Sequence, residues 1–154
     1  MDIDNDQLSV SAELDELLHI IRRNLKFLQQ AVSTTYFRRI FRGALSKLQE
    51  QLWNDIISKQ SFTGFGAAQL QRDVSALAAV IDSYVPNASG AMGSIHGGIR
   101  LLTLPLEAEG SGMTLRRASD GVFKDNDAAR EVLEELGIES LTPQNARNIL
   151  QRRV

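Results

Sequence analysis

The chain contains no cysteine. Disulfides and thiolate metal sites are therefore excluded, and a cytosolic compartment fits better than a secreted one. It has only two histidines, His19 and His96. Neither has a second ligand nearby at metal-binding spacing, so both read as surface or edge residues. Aromatic residues make up 6% of the chain and the formal charge is −2, with acids interspersed among the basic residues. Overall charge thus draws in neither nucleic acid nor a membrane surface. No apolar run reaches the length of a membrane-spanning helix, so direct membrane insertion is not expected. The first six residues, Met1-Asp2-Ile3-Asp4-Asn5-Asp6, lack the basic and apolar parts of a signal peptide. Residues 1–10 read as a disordered acidic N-terminus. No segment sustains period-two alternation, which argues against strands.

Catalytic patterns are missing as well. No serine sits in a Gly-x-Ser-x-Gly elbow. Acid pairs such as Glu134-Glu135 fall at a helix end and read as solvated, with no convergent partners. Gly64-Phe65-Gly66 opens a helix, as a phosphate loop would, but no strand precedes it and no Lys-Ser/Thr follows. It reads instead as a tight turn with two aromatic plugs, Phe62 and Phe65. No catalytic, cofactor-binding or metal-binding residues are assigned.

What is present is helical patterning. Ser11 reads as an N-cap, with Glu13, Asp15 and Glu16 in the first turn, where the helix dipole favours acids. Leu14, Leu18, Ile21, Leu25, Leu28 and Val32 form one apolar stripe on a helix over about 12–32. Leu17, Ile20 and Phe27 widen that arc, which suits a helix packed against two neighbours. Ser33-Thr34-Thr35 is a weak point that a break, a kink or an unbroken helix would satisfy. A second stripe runs through Phe37, Phe41, Ala44, Leu45, Leu48, Leu52 and Ile56. Trp53 and Ile57 lie off it, one turn apart, and Phe62 and Phe65 are their nearest candidate packing partners. A third helix starts near Gly66 and ends before Pro86, with Leu70, Val74, Leu77, Ile81 and Tyr84 inward.

Residues 87–93 read as a loop, and a shorter helix then carries Ile95, Ile99 and Leu102, with Pro105 near its end. Residues 107–112 read as a flexible connection. Thr114 and Asp125 are caps for two short helices, with Gly137 in the left-handed position after the second. Leu141-Thr142-Pro143 is a start signal for a last helix, Thr142 capping and Pro143 at its first position. The expectation is an all-α antiparallel bundle, with three longer helices and several short C-terminal ones. It forms a single domain over 11–154: long helices over 11–85, loop, short helix and linker over 86–112, and a short-helix cap over 113–154.

Two further features bear on function. Asp73 falls toward the buried face, where a carboxylate needs a partner. It accepts from the 62–66 turn, or pairs with an arginine on a neighbouring helix, or else is an exposed acid. Arg22, Arg23 and Lys26, then Arg38, Arg39 and Arg42, form two basic clusters. They read as solvated helix faces or as docking positions for an acidic partner segment, with Arg38, Arg39 and Arg42 the candidate contacts.

The segment from Leu52-Trp53 through Phe62-Thr63, Gly66-Ala67-Ala68-Gln69-Leu70 and Asp73 to Ile81-Asp82-Ser83-Tyr84 resembles the C-terminal region of the RINT/TIP family of vesicle-tethering subunits. The tail is similar too, in Leu136-Gly137-Ile138, Leu141-Thr142-Pro143, Ala146 and Ile149-Leu150. The resemblance runs from about Leu14 to Val154. It marks Trp53, Phe62, Gly64, Phe65, Gly66, Gln69, Asp73 and Tyr84 as motif positions. It implies the end of a longer helical rod in an ER-associated Dsl/NRZ complex that captures Golgi-derived COPI vesicles. Protein partners (ER SNAREs and other tethering-complex subunits), no enzyme activity, no cofactor and a cytoplasmic place at the ER membrane follow from that resemblance. A free-standing helical adaptor or architectural protein unrelated to vesicle transport is the alternative.

Overall fold

The computed structural model describes residues 9–107 and 110–154. The acidic stretch over 1–8 lies outside the described residues, as does part of the 107–112 connection. Among the described residues seven α-helices are formed: α1 (Ala12–Ala31), α2 (Thr34–Gln51), α3 (Gly64–Tyr84), α4 (Gly93–Leu102), α5 (Leu115–Lys124), α6 (Asn126–Glu135) and α7 (Pro143–Leu150). Among the described residues there is no strand, only one isolated bridge. The all-α class is as the periodicity demands.

The chain divides into two compact units, each built from two stretches of sequence: Met1–Glu50 with Ala68–Met92, and Gln51–Ala67 with Gly93–Val154. The divisions fall inside or beside helices rather than in the 107–112 connection.

The first unit holds α1, α2 and most of α3. The helix break expected as one option at 33–35 is real. Val32 is extended (φ −127°, ψ 161°), and α2 starts at Thr34. Hydroxyl and β-branched side chains compete with the helical backbone there, and the chain turns back. The Ser11 amide donates to Asp73 at 2.9 Å, and the Tyr84 hydroxyl donates to the Arg22 carbonyl at 2.9 Å. Both pairs are 62 residues apart in sequence, so α1 and α3 run side by side in the same direction. Helix α2 runs against both, because Leu48 shares a groove with Leu77, and Arg38 shares one with Val85 and Pro86. Phe37, Phe41 and Leu45 of α2 are buried with Val74, Leu77, Val80 and Ile81 of α3. The Phe37 and Phe41 rings are 5.6 Å apart.

Helix α1 departs from expectation. Leu18 alone of its stripe is buried. Leu17, Ile20 and Phe27, expected to meet a second neighbour, are 45%, 39% and 72% exposed. Within the first unit that side of the apolar arc is left open.

The 87–93 stretch is not a plain loop. A 3-10 turn forms over Ala88–Met92, after Asn87 in the left-handed region (φ 61°). Asp82 holds it, accepting from the Ser89 amide (2.8 Å) and hydroxyl (2.6 Å). An aspartate on the last turn of α3 thus supplies the acceptor that a tight turn needs.

The second unit packs the short helices. Thr114, Asp125 and Thr142 cap α5, α6 and α7 as read, and Thr142 forms a reciprocal capping box with Asn145. The Ala128 amide holds the Asp125 carboxyl below the usual aspartate range, helped by Lys124 and Arg147. Gly137 takes φ 66° directly after α6, as a C-terminal cap requires. Arg147 ties the unit together, donating to the Val122 carbonyl (2.9 Å) and to Asn126 (2.8 Å).

Preceding this unit's share of α3 is a π-helical turn, Leu52–Ile57, in which the Ser58 amide reaches back to the Trp53 carbonyl (2.9 Å). The wider turn shifts the phase of the side chains after it. In that shifted phase Ile57, which lies off the second stripe, turns inward in place of Ile56. Ile57 is 1% exposed and packs over Gly98 of α4, while Trp53 is half-buried.

Candidate protein-binding surface

The motif positions do two separate structural jobs. In the second unit Thr63, not Gly66, sets the start of α3. Its hydroxyl accepts from the Gly66 amide at 3.0 Å and its carbonyl from Ala67 at 2.9 Å. The expected glycine turn is therefore the first turn of the helix. Just before it, Phe62 lies alongside the C-terminal residues. Its amide donates to Arg152 at 2.6 Å, and its carbonyl accepts from Val154 at 2.9 Å. Arg153 donates to the Leu102 carbonyl at 3.0 Å, and its guanidinium lies over Gly64, where a Cβ would come within 2.8 Å of Nη2.

Phe62 is buried and Phe65 is 57% exposed, so only one of the two expected plugs goes inward. The reason is local. Phe62 is pinned by backbone bonds outside the helix, whereas Phe65 sits on the first turn and faces away. Phe65 therefore does not serve as the inner packing partner expected for Trp53 and Ile57.

In the first unit Gln69 and Asp73, one turn apart on α3, hold the start of α1. Gln69 donates to the Ser9 carbonyl (2.9 Å) and to Asp73 (3.1 Å), and Asp73 accepts the Ser11 amide (2.9 Å). Both partners expected for Asp73, the 62–66 turn and an arginine, are replaced by this backbone amide. Ser11 caps α1 by position only, because its side chain makes no capping bond. A carboxylate from α3 lies at the helix N-terminus instead, where free N–H groups and the dipole favour negative charge. Asp73→Ala should therefore lower the melting temperature by roughly 2–8 °C, from the loss of about 1–2 kcal/mol. Asp73→Asn, which keeps an acceptor, should lose less. Thermal circular dichroism reads both, and an unchanged Asp73→Ala would contradict the clasp.

Neither histidine is enclosed; both are exposed, and His19 lies 3.7 Å from Asp15. Glu134 and Glu135 are exposed, and Glu135 pairs with Arg117 at 3.1 Å. A cleft of about 360 Å³ in the second unit is lined by Gly93, His96, Gly97, Arg100 and residues 137–140.

The first unit offers two grooves. One, of about 460 Å³, has Phe41 and Leu45 along it, Arg38 and Arg42 beside them, and residues from 85–91 opposite. The other, of about 250 Å³, is apolar and lies among Ile21 and Leu25 of α1, Phe41, Leu45 and Leu48 of α2, and Leu77 and Ile81 of α3. Of the three candidate contact arginines, Arg38 and Arg42 line the first groove and Arg39 lines neither; all three are exposed.

The sequence reading missed how one-sided this region is. Residues 17–49 hold seven basic residues, Arg22, Arg23, Lys26, Arg38, Arg39, Arg42 and Lys47, and no acidic one. The acids are not interspersed here; the overall −2 conceals a strongly basic stretch over 17–49. A windowed charge count would have found it. All seven are exposed, and among the described residues Lys47 alone of them forms an ion pair, with Glu50 at 3.3 Å. Apolar burial beside unneutralised guanidinium groups is suited to holding a protein segment rather than to proton or group transfer.

No curated protein and no solved structure matches the chain. The family model described as RINT-1/TIP-1 family matches residues 1–153. That family is not known as enzymatic, and it suggests a tethering role in vesicle transport and protein partners. With nearly every residue inside that match, the chain belongs to the RINT-1/TIP-1 family.

Proposed function

We propose that this chain is the C-terminal domain of an ER-associated tethering subunit in Golgi-to-ER retrograde (COPI) transport. It is non-enzymatic and binds SNARE proteins or other subunits of its tethering complex through its helix surfaces. The observation that carries this reading is the family match over residues 1–153, joined to a three-helix unit whose two grooves, one of them apolar, and apolar α1 face stand open. An open apolar helix face is unusual for a surface with no partner, and helix-in-groove contacts are a common way to cover one. Arg38, Arg39 and Arg42 are the proposed partner contacts. No helix of the described residues is long and apolar enough to cross a membrane. Attachment through membrane-anchored partners on the cytoplasmic face accords with that.

The test is capture of the cytosolic domains of ER SNAREs by the purified, folded chain. Retention of at least one of them is expected. Failure of every ER SNARE and every tethering-complex subunit to bind would remove the reading.

A further inference from the structure

We infer that the Arg38–Arg42 groove of the first unit receives an acidic amphipathic helix from a protein partner. It is read by two carboxylates one turn apart beside a row of apolar residues. This inference rests on the protein-binding reading above and adds the place and chemistry of the contact.

Three observations meet at this groove. Arg38 and Arg42 stand four residues apart on α2, so their guanidinium groups rise on one face about one turn apart. That spacing matches Glu or Asp side chains at i and i+4 of a second helix laid along the first, and guanidinium is the cation best shaped to hold carboxylate. Between and below them Phe41 and Leu45 give an apolar floor, and residues 85–91 form the opposite wall. An aliphatic or aromatic side chain from the same helix has a place to be buried there.

No contact ion pair among the described residues neutralises these arginines. Among the described residues no carboxylate lies within ion-pair distance of Arg22, Arg23, Lys26, Arg38, Arg39 or Arg42. Residues 17–49 carry no acid at all. A run of basic residues with no acid over 17–49 speeds the approach of a partner of the opposite sign and disfavours basic ones. A basic or neutral helix would leave the groove's arginines unmatched. An anionic bilayer would also be attracted by the charge, but it is planar and binds a projecting apolar face. The concave groove with its apolar floor favours a helix.

The probe is a labelled synthetic 20-residue helical peptide with Glu at i, i+4 positions along one edge and Leu along the next. Fluorescence anisotropy against the full chain reads its binding. Expected are saturable binding at low salt, weakening by about tenfold or more in 0.5 M salt, and no binding of a peptide with Lys in place of each Glu. Arg38→Glu with Arg42→Glu should weaken the acidic peptide by about tenfold or more and gain affinity for the Lys peptide. Arg38→Gln with Arg42→Gln, with helicity checked by circular dichroism, serves if the charge reversal perturbs folding; it should weaken the acidic peptide without gaining the basic one. The proposal is overturned if both double variants bind like the parent chain. It is also overturned if phosphatidylserine vesicles bind the chain while the peptide does not. SNARE capture that survives Arg38→Glu with Arg42→Glu would sink this groove and leave the tethering reading standing. Peptide binding with no SNARE or subunit captured would do the reverse.

Discussion

Replacing Ile57 by alanine should unfold the second unit at markedly lower temperature. The side chain is 1% exposed, and its Cδ1 and Cγ2 lie over Gly98 on α4, beside Ile149 from α7. It therefore fills part of the core between the π-helical turn, α4 and α7. Truncating a buried isoleucine removes its transfer free energy and leaves a cavity, together about 2–5 kcal/mol. For a chain of this length that corresponds to roughly 4–20 °C in melting temperature. Ile57→Val, which removes one methyl group, should cost only about 0.5–1.5 kcal/mol. Differential scanning calorimetry of the two variants decides the matter, and equal melting temperatures would show that the π-helical turn does not anchor the unit. The α1 face gives the contrast. Phe27→Ala removes a larger side chain that is 72% exposed, and it should leave the melting temperature nearly unchanged.

The second large effect concerns Gly121. Helices α5 and α6 approach so closely that a Cβ on Gly121 would stand 2.6 Å from Val132 Cγ2. A valine is stiff at χ1 and this one is buried, so it cannot swing aside as a surface side chain would. Gly121→Ala gains about 1 kcal/mol of helix propensity and loses about 1–3 kcal/mol to overpacking, so the net is expected to be destabilising. Its signature is coupling. Val132→Ala alone opens a cavity, yet in the Gly121→Ala background it makes room for the new methyl group. The double variant should be more stable than the sum of the two singles by about 1 kcal/mol. Additive denaturation free energies would mean that the two helices separate to admit the methyl group. Gly64→Ala makes a useful control. There the obstructing atom is the far end of Arg153, which can move, so a smaller loss is expected despite the 2.8 Å approach.

These sites mark where sequence patterning stops being informative. Helix existence and several boundaries could be read from local chemistry. Thr114, Asp125 and Thr142 cap the helices read from them, Gly137 takes the left-handed geometry that ends α6, and α3 stops before Pro86. Caps, prolines and left-handed glycines act on their own neighbours, so their effect is written in a few residues. The break at Val32 lay within reach, since hydroxyl residues weaken a helix without deciding whether it bends or ends. The 3-10 turn after α3 did not, because its acceptor, Asp82, stands seven residues from Ser89 and resembles any acid on a helix.

The site residues divide in the same way. The basic stretch could have been found by counting charges over residues 17–49, because charge asymmetry is a property of composition. The roles of Asp73 and Gln69 could not. Their partners, Ser11 and Ser9, are about sixty residues away, and no local pattern connects them. Phe62 and Phe65 show how far a motif can mislead. Three residues apart and chemically identical, they end with one buried and one exposed, because only Phe62 meets the chain near Arg152 and Val154.

Alone, then, the sequence determined that this protein is helical, where most of its helices begin and end, and which family it resembles. Those properties follow from propensity, capping and period, all of which act within a few turns. Tertiary structure decided which apolar faces are covered and which stay open, which glycines are crowded, and which arginines line a groove. Burial is a property of what else arrives at a surface, and a one-dimensional pattern does not encode that arrival.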